Sequence, residues 1–276
     1  MTYNWAGIWL YQSSDNSISE NELLNNTVGI LLSYQSSNIN ISGNGIANNS
    51  AGIKLEYSSN NNITGNNITN HWAAGIWLYQ SSDISISENN MSNNVCGIIL
   101  ERSSSNSVSG NNITASVWGG GIGLRSSNYN SISGNTITNI GGAIDLWESS
   151  NNSIVGNNIT NNMGGIGLSR SSNNSVYHNN FVNNTNQAGT YSPVNVWDDG
   201  YPSGGNYWSD FAAVDLFSGP YQDITNSDGI GDTPYVIDEN NVDRYPLMNP
   251  WTPTPPTPPV PTASVDTHPY ALNLRS

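Results

Sequence analysis

One pattern recurs through the first two thirds of the chain and constrains the fold more than any other feature. Within each unit, apolar and polar residues alternate and β-branched residues dominate, which is typical of short strands. Units this short cannot close a core alone, so successive units must stack. The pattern Gly-Ile-x-Leu or its variant begins, at intervals of 22 to 24 residues, at Gly7, Gly29, Gly52, Gly75, Gly97, Gly121, Ala143 and Gly165.

Stacked units whose equivalent strands pair in parallel predict an all-β fold, a right-handed parallel β-helix of about eight rungs over residues 1–186. The distribution of proline supports this fold. All 13 prolines lie at or beyond Pro193. Because proline has no backbone N–H to donate to a strand ladder, the absence of proline before that point is what continuous strand pairing requires.

Asparagine recurs at one equivalent position of every rung. Stacked side-chain amides can hydrogen-bond along the axis of a cross-β stack. We therefore predict an asparagine ladder made of Asn21, Asn44, Asn66, Asn89, Asn111, Asn135, Asn157 and Asn179.

The repeat Gly-Ile-x-Leu, followed by Ser-Ser-Asn-Asn-x-Ile-x-Gly-Asn-x-Ile, resembles the NosD-like family of β-helix proteins. Two tail segments, 197–210 and 227–235, are similar to the C-terminal signature of archaeal cell-surface members. The resemblance implies an extracellular or cell-surface location and a relationship to carbohydrate-binding and sugar-hydrolase β-helices. The resemblance also implies copper as a candidate metal, because NosD-like proteins are associated with copper.

Composition excludes several classes of protein. With six Lys and Arg residues and a net charge of -14, the chain cannot bind nucleic acid by neutralising phosphates. No apolar run approaches the roughly 20 residues of a membrane span. The single cysteine, Cys96, excludes an intrachain disulfide. The chain starts inside a rung without a cap, which predicts either a preceding segment or end-to-end self-association.

The tail divides into two parts. Residues 187–250 hold ten acidic residues against one base, Arg244, together with aromatic residues that can form a small core. We expect them to form a compact, loop-rich cap over the last rung. Residues 251–276 are rich in Pro and Thr and predict an extended linker and tail.

The repeat predicts two columns of outward residues on one face of the β-helix, and several of them are aromatic. The first column is Trp9, Leu31, Lys54, Trp77, Ile99, Gly123, Asp145 and Gly167, and the second is Tyr11, Tyr34, Glu56, Tyr79, Glu101, Arg125, Trp147 and Ser169. Three interpretations stay open: a glycan stacks on the rings, the C-terminal segment folds back over them, or a neighbouring surface protein packs there. Trp9 and Trp77 are three rungs apart, roughly 14 Å, which suits a short glycan. The candidate ligand-binding residues are Trp9, Tyr11, Trp77, Tyr79 and Trp147.

Charged residues on the later rungs are the weak candidates for catalysis. A glycosidase needs two carboxylates, about 5 Å apart for retention or roughly 6.5–9.5 Å apart for inversion. Asp145, between Gly123 and Gly167 in its column, could pair with Glu101 or Glu148. Arg125 is a nearby basic residue. Opposite charges on adjacent strands are also ordinary sheet pairs, and we favour that interpretation.

Two metals are considered. Calcium binds carboxylate, amide and carbonyl oxygens, and the segment around Gly229 offers Asp223, Asn226, Asp228 and Asp232. Copper prefers His, Met or Cys. The chain has only His71, His178, His268, Cys96 and four Met, in unrelated positions, so the sequence favours calcium over copper. The alternative to a calcium site is a set of plain acidic turns.

The sequence thus favours a non-enzymatic extracellular β-helix module with a structural or adhesive role. Its partner would be a cell-surface glycan or a neighbouring surface protein on the aromatic outer face. The alternative is a polysaccharide-active enzyme, of the glycoside hydrolase or lyase type, with its site near Asp145.

Overall fold

The computed structural model describes residues 4–114, 119–191, 193–212 and 214–253. Within these ranges the chain forms 30 strands and no helix. Accordingly, this part of the chain holds no helix of the length and apolarity that a membrane crossing requires. The strands wind into three parallel sheets, named sheets I, II and III in the order in which the chain meets them.

The three sheets contain one strand from each rung. Sheet I consists of the six-residue strands β1 (Ala6–Tyr11), β4 (Val28–Ser33), β7 (Ala51–Glu56), β10 (Ala74–Tyr79), β13 (Cys96–Glu101), β16 (Gly120–Arg125), β19 (Gly142–Trp147), β22 (Gly164–Ser169) and β25 (Asn186–Tyr191). Sheet II consists of β2 (Ser17–Ser19), β5 (Asn40–Ser42), β8 (Asn62–Thr64), β11 (Ser85–Ser87), β14 (Ser107–Ser109), β17 (Ser131–Ser133), β20 (Ser153–Val155) and β23 (Ser175–Tyr177). Sheet III consists of β3 (Glu22–Leu24), β6 (Gly45–Ala47), β9 (Asn67–Thr69), β12 (Asn90–Ser92), β15 (Asn112–Thr114), β18 (Thr136–Thr138), β21 (Asn158–Thr160), β24 (Asn180–Val182) and β26 (Tyr207–Trp208).

Equivalent residues of successive rungs pair in register, which confirms the predicted parallel β-helix. Ile8 pairs with Ile30, and Ile30 pairs with Ile53. Because side chains alternate across a strand, every second residue points inward. The inward Ile, Leu and Val residues are almost fully buried and form one continuous core along the axis.

The predicted asparagine ladder is confirmed and has a clear structural role. The backbone N–H and the Nδ2 group of Asn44 both donate to Oδ1 of Asn66, at 3.0 and 2.9 Å. The same Nδ2 group donates to the carbonyl of Ile18, at 2.9 Å. Each buried amide therefore satisfies backbone groups at the corner between sheets II and III, where the strand ladder is interrupted.

Two further buried ladders occupy the other corners, and the sequence analysis missed both. One, between sheets III and I, includes Asn26, Asn49, His71, Asn94, Asn162 and Asn184. The other, between sheets I and II, includes Asn61, Asn106, Asn130, Asn152, Asn174 and Asn195.

The C-terminal region closes the last rung by extending these ladders. Asn206 accepts from Asn179 at 3.0 Å, and Asn195 donates to Asn241 at 3.0 Å. The aromatic ring of Trp208 stacks between Phe181 and Tyr235, with centroid separations of 4.4 and 4.2 Å. Four short strands complete this region: β27 (Phe217–Ser218), β28 (Ile224–Thr225), β29 (Tyr235–Asp238) and β30 (Asn241–Asp243).

The last described residues lie along the side of the β-helix. The ring of Trp251 stacks on that of His178, with a centroid separation of 5.2 Å. The linker and tail predicted for residues 251–276 lie outside the described residues from 254 onward.

A buried carboxyl group ends the main asparagine ladder. Oδ2 of Asp243 accepts the N–H of Asn206 at 2.8 Å and the indole N–H of Trp208 at 2.9 Å. Burial raises the pKa of Asp243 from 3.8 to about 7, although these hydrogen bonds oppose the shift. The last donors of the ladder thus depend on a carboxyl group that is costly to ionise.

We expect the Asn111→Ala substitution to lower the free energy of unfolding by roughly 2–4 kcal/mol, because it leaves buried donors and acceptors unpaired. Asn111 both accepts from Asn89 and donates to Asn135. Asn112→Ala is the matched control, since the exposed Asn112 side chain bonds only its neighbour Asn90. Chemical denaturation would measure both variants, and equal losses would contradict a stabilising role for the buried ladder.

We expect the cap to lose stability as the pH rises from 5 to 8. The folded state holds a proton on Asp243 up to about pH 7, whereas the unfolded state releases it near 3.8. The contribution of Asp243 is therefore complete at low pH and lost as the pH passes through 7. Thermal unfolding, followed by the fluorescence of Trp197 and Trp208, should show a melting temperature several degrees lower at pH 8. Asp243→Asn should reduce this dependence, and an unchanged slope in that variant would contradict the assignment.

Candidate functional site

The outer face of sheet I carries two columns of side chains. The register confirms the first predicted column, in which Trp9, Leu31, Lys54, Trp77, Ile99, Gly123, Asp145 and Gly167 follow one another. The second column consists of Tyr11, Ser33, Glu56, Tyr79, Glu101, Arg125, Trp147 and Ser169. Ser33, and not Tyr34 as expected, occupies the second rung of that column.

A continuous series of ring contacts runs across the first four rungs. We name it the aromatic row; its members are Trp5, Trp9, Tyr11, Tyr34, Tyr57 and Tyr79. Successive ring centroids are 5.2, 6.0, 5.1, 5.9 and 5.5 Å apart. These separations are those of favourable aromatic pairs. The aromatic row therefore forms one connected surface and not a set of isolated rings.

The sequence analysis found four members of the aromatic row and missed Trp5 and Tyr57. Tyr34 was expected in the second column, whereas Tyr34 and Tyr57 both follow their strands and occupy corner positions with φ values of 51° and 52°. Trp5 precedes β1. The alternation of strand residues does not reach Trp5 and Tyr57, so only their identity as large aromatics next to the predicted face could have indicated them.

The aromatic row remains accessible to solvent. Trp9 is 53% exposed, Tyr11 is 48% exposed and Tyr34 is 52% exposed. The indole N–H of Trp9 donates to Oγ of Ser33 at 2.8 Å, which fixes the orientation of the ring. Within the described residues, the tail therefore does not cover the aromatic row.

The other two candidate aromatic residues have different surroundings. Trp77 is half-buried; the Nζ atom of Lys54 lies 4.5 Å from the centroid of its ring. Lys54 also pairs with Glu56 at 2.6 Å. Trp147 is exposed three rungs beyond Tyr79, and the guanidinium of Arg170 lies 5.1 Å from its ring. The structure therefore places Trp77 beside the aromatic row and Trp147 away from it.

Asp145 stands on an open part of sheet I. Its neighbours in the column are Gly123 and Gly167, and no atom lies close to the outer side of Gly123. Desolvation raises the pKa of Asp145, while Arg125 opposes the shift. Asp145 is thus a carboxyl group with a raised pKa on an accessible shelf.

No described ion pair involves Asp145, and Asp145, Glu101, Glu148 and Arg125 stay candidates for catalysis. Asp145 and Glu101 are two rungs and two residues apart, which separates their Cα atoms by about 12 Å. Glu148 instead pairs with Arg170 at 3.2 Å. Glu101 and Arg125 are neighbours in register, but among the described ion pairs within 4.0 Å they do not form one.

The acidic loop proposed for calcium uses part of its carboxylates for backbone contacts. Asp228 accepts the N–H of Ile230 at 3.1 Å. Asp232 accepts the N–H groups of Leu216 and Phe217 at 3.0 Å. Among the described residues there is no cluster of three or more His, Cys, Asp or Glu side chains placed to hold a metal ion. Calcium binding by Asp223, Asn226, Asp228 and Asp232 stays a prediction.

The described residues do not fit a copper centre. His71 is buried in a corner ladder, where Nδ1 accepts the N–H of Asn49 at 3.1 Å. His178 lies near the other end of the β-helix, with Nε2 at 2.9 Å from the carbonyl oxygen of Ser203. Cys96 begins β13 directly after Val95, whose N–H donates to the carbonyl of His71 at 2.9 Å. Among the described residues, however, no three or more His, Cys, Asp or Glu side chains are placed to hold a metal ion, and His268 lies outside those residues.

Solved structures with a similar fold are sugar-related β-helix proteins. One is the tailspike protein of E. coli bacteriophage HK620, a double mutant in complex with a pentasaccharide, with 15% identity and a TM-score of 0.57. Another is DFA-IIIase from Arthrobacter chlorophenolicus A6 in complex with GF2, with 14% identity and a TM-score of 0.54. The matches cover 70% and 67% of this chain but only 43% and 55% of those chains. At this identity the likeness shows the fold alone.

A search of curated protein sequences finds no significant match. A family model does match: the one described as periplasmic copper-binding protein (NosD) covers residues 1–95 and 70–213. This range includes all the rungs and the start of the C-terminal region. The chain therefore belongs to the NosD family.

Proposed function

We propose that this protein is a non-enzymatic, extracellular β-helix module that binds a glycan on the aromatic row. The observation that carries the proposal is the continuous contact of six aromatic rings on a solvent-open face. Exposed apolar patches of this kind mark interaction sites. A location outside the cytoplasm agrees with the periplasmic description of the family.

Aromatic rings suit sugars for a physical reason. One face of a pyranose ring presents C–H groups, which pack on an aromatic face, while the hydroxyl groups remain free for hydrogen bonds. Each ring of the aromatic row already contacts its neighbours in the row, so little side-chain freedom is lost on binding. The tailspike β-helix with its pentasaccharide supports the proposal as an example of a glycan bound by a protein of this fold.

The competing partner is a neighbouring surface protein. The aromatic row would then be one side of a protein–protein contact, rich in Trp and Tyr as such contacts are. End-to-end self-association through the first rung also stays a prediction. Glycan binding is favoured because Tyr11, Tyr34, Tyr57 and Tyr79 follow one another on four successive rungs, and a line of rings along the axis suits an extended oligosaccharide.

We expect Trp9→Ala and Tyr34→Ala each to weaken glycan binding about tenfold, since one lost ring contact costs roughly 1–1.5 kcal/mol. Binding to a panel of immobilised and soluble oligosaccharides, followed by calorimetry, would measure this. Tyr129→Ala is the control, because Tyr129 is 67% exposed on rung six, outside the aromatic row. Equal affinities of all three variants for every bound glycan would refute the assignment to the aromatic row.

A second candidate function rests on Asp145. Its raised pKa and the open glycine shelf are features of a general acid beside a substrate cleft. Here the protein would be a polysaccharide-active enzyme. Charged residues on adjacent rungs also form ordinary pairs, as Glu148 and Arg170 do at 3.2 Å, and binding without turnover is favoured for that reason.

Turnover assays on neutral polysaccharides and polyuronides distinguish the two functions. We expect the protein to release no product from any of them, and Asp145→Asn to bind glycans as the unchanged protein does. Product release that Asp145→Asn abolishes would establish the enzyme and overturn the non-enzymatic assignment.

A further inference from the structure

The second rung contains one more residue than its neighbours at the end of its sheet I strand. Ser13 and Ser36 are equivalent, since the N–H of Ser13 donates to Oγ of Ser36 at 3.3 Å. Tyr11 and Ser33 are also equivalent. In rung one, a single residue, Gln12, lies between Tyr11 and Ser13. In rung two, Tyr34 and Gln35 both lie between Ser33 and Ser36.

The extra residue makes this corner protrude. Tyr34 and Gln35 both adopt left-handed backbone conformations, with φ values of 51° and 68°. Two such residues in succession are unusual outside glycine and asparagine. The corner is nevertheless fixed, because the N–H groups of Gln12 and Gln35 donate to the carbonyl groups of Ser33 and Tyr57, at 3.2 and 2.7 Å.

A surface cavity lies at this protruding corner. Its volume is about 310 Å³, and its walls are Gln12, Tyr34, Gln35 and Tyr57. The centroids of the two tyrosine rings are 5.9 Å apart, and both rings belong to the aromatic row. The side-chain amides of Gln12 and Gln35 are exposed and make no hydrogen bond with the described part of the chain. The cavity thus combines two apolar faces with two unpaired amides.

Charge around the cavity disfavours an anionic ligand. Lys54 is the only Lys or Arg in residues 1–100, and it is held by Glu56 at 2.6 Å. Glu56 itself lies next to Tyr57. A sugar carboxylate or sulfate would find no free cation there, and the net charge of -14 would repel it.

We propose that the cavity is a specificity subsite that takes one neutral sugar ring of a glycan lying along the aromatic row. This rests on the proposed glycan-binding function. The ring packs on Tyr34 and Tyr57, and the amides of Gln12 and Gln35 hydrogen-bond its hydroxyl groups. An amide offers a donor and an acceptor together, which matches a pair of adjacent hydroxyls. The ligand class is therefore a neutral oligosaccharide and not a polyuronide.

Calorimetric titration with neutral hexose oligosaccharides, and with oligogalacturonate and oligoalginate, tests the ligand class. Only the neutral series should bind. Gln12→Ala and Gln35→Ala should each weaken that binding about tenfold. Gln80→Ala is the matched control, because Gln80 is exposed at the same corner of rung four, with φ of 47°, and lies outside the cavity walls.

Deletion of Gln35 tests the role of the extra residue. It gives rung two the spacing of rungs one and three, so the β-helix should melt within a few degrees of the unchanged protein while binding falls at least as far as in Gln35→Ala. Should the deletion prevent folding, the two point variants decide the question.

The outcomes separate the subsite from the wider function. Loss of binding in Trp9→Ala, with Gln12→Ala and Gln35→Ala equal to Gln80→Ala, would overturn the subsite and leave glycan binding by the aromatic row intact. Preference for the polyuronides would overturn the neutral class. Absence of binding to both series would overturn the subsite and the proposed function together.

Discussion

Each corner of the β-helix presents backbone N–H and C=O groups that the strand ladders do not reach, and the structure depends on how these groups are paired. The buried asparagine amides pair them: each accepts from the preceding rung and also donates to a backbone carbonyl. An unpaired buried polar group would cost about 1–3 kcal/mol. Repeated over eight rungs, such costs would exceed the whole stability of an ordinary domain, so the ladders are a condition of the fold.

Because the ladders and the inward Ile and Leu residues fix the backbone, the outward side chains are free to vary between rungs. Trp9, Lys54 and Asp145 occupy one column and differ completely in chemistry. The aromatic row occupies the first four rungs and the glycine shelf the later ones. Function in this fold is therefore set by outward residues at given rungs and not by the repeat itself.

The sequence predicted what the repeat enforces and missed what interrupts it. The fold, the asparagine ladder and the column from Trp9 to Trp77 follow from regular spacing. The corner position of Tyr34 and the contribution of Tyr57 did not, because corner residues with positive φ leave the two-residue alternation of the strands. The ladder through His71 was hidden by its mixed residue types. The packing of Trp208 between Phe181 and Tyr235 joins residues distant in sequence and without period.

The family's description names copper, but the two described histidines have hydrogen-bond partners that belong to the fold. His71 replaces an asparagine in a corner ladder, and burial lowers its pKa, so its ring is kept neutral as a hydrogen-bond acceptor of the fold. His178 contacts Ser203 and stacks on Trp251 at the other end of the β-helix. Both described histidines therefore serve the packing of rung on rung or of tail on rung. A rung position tolerates a histidine for structural reasons, whereas a metal site requires several ligating side chains to converge, and in the described part of the chain no three or more His, Cys, Asp or Glu side chains do so.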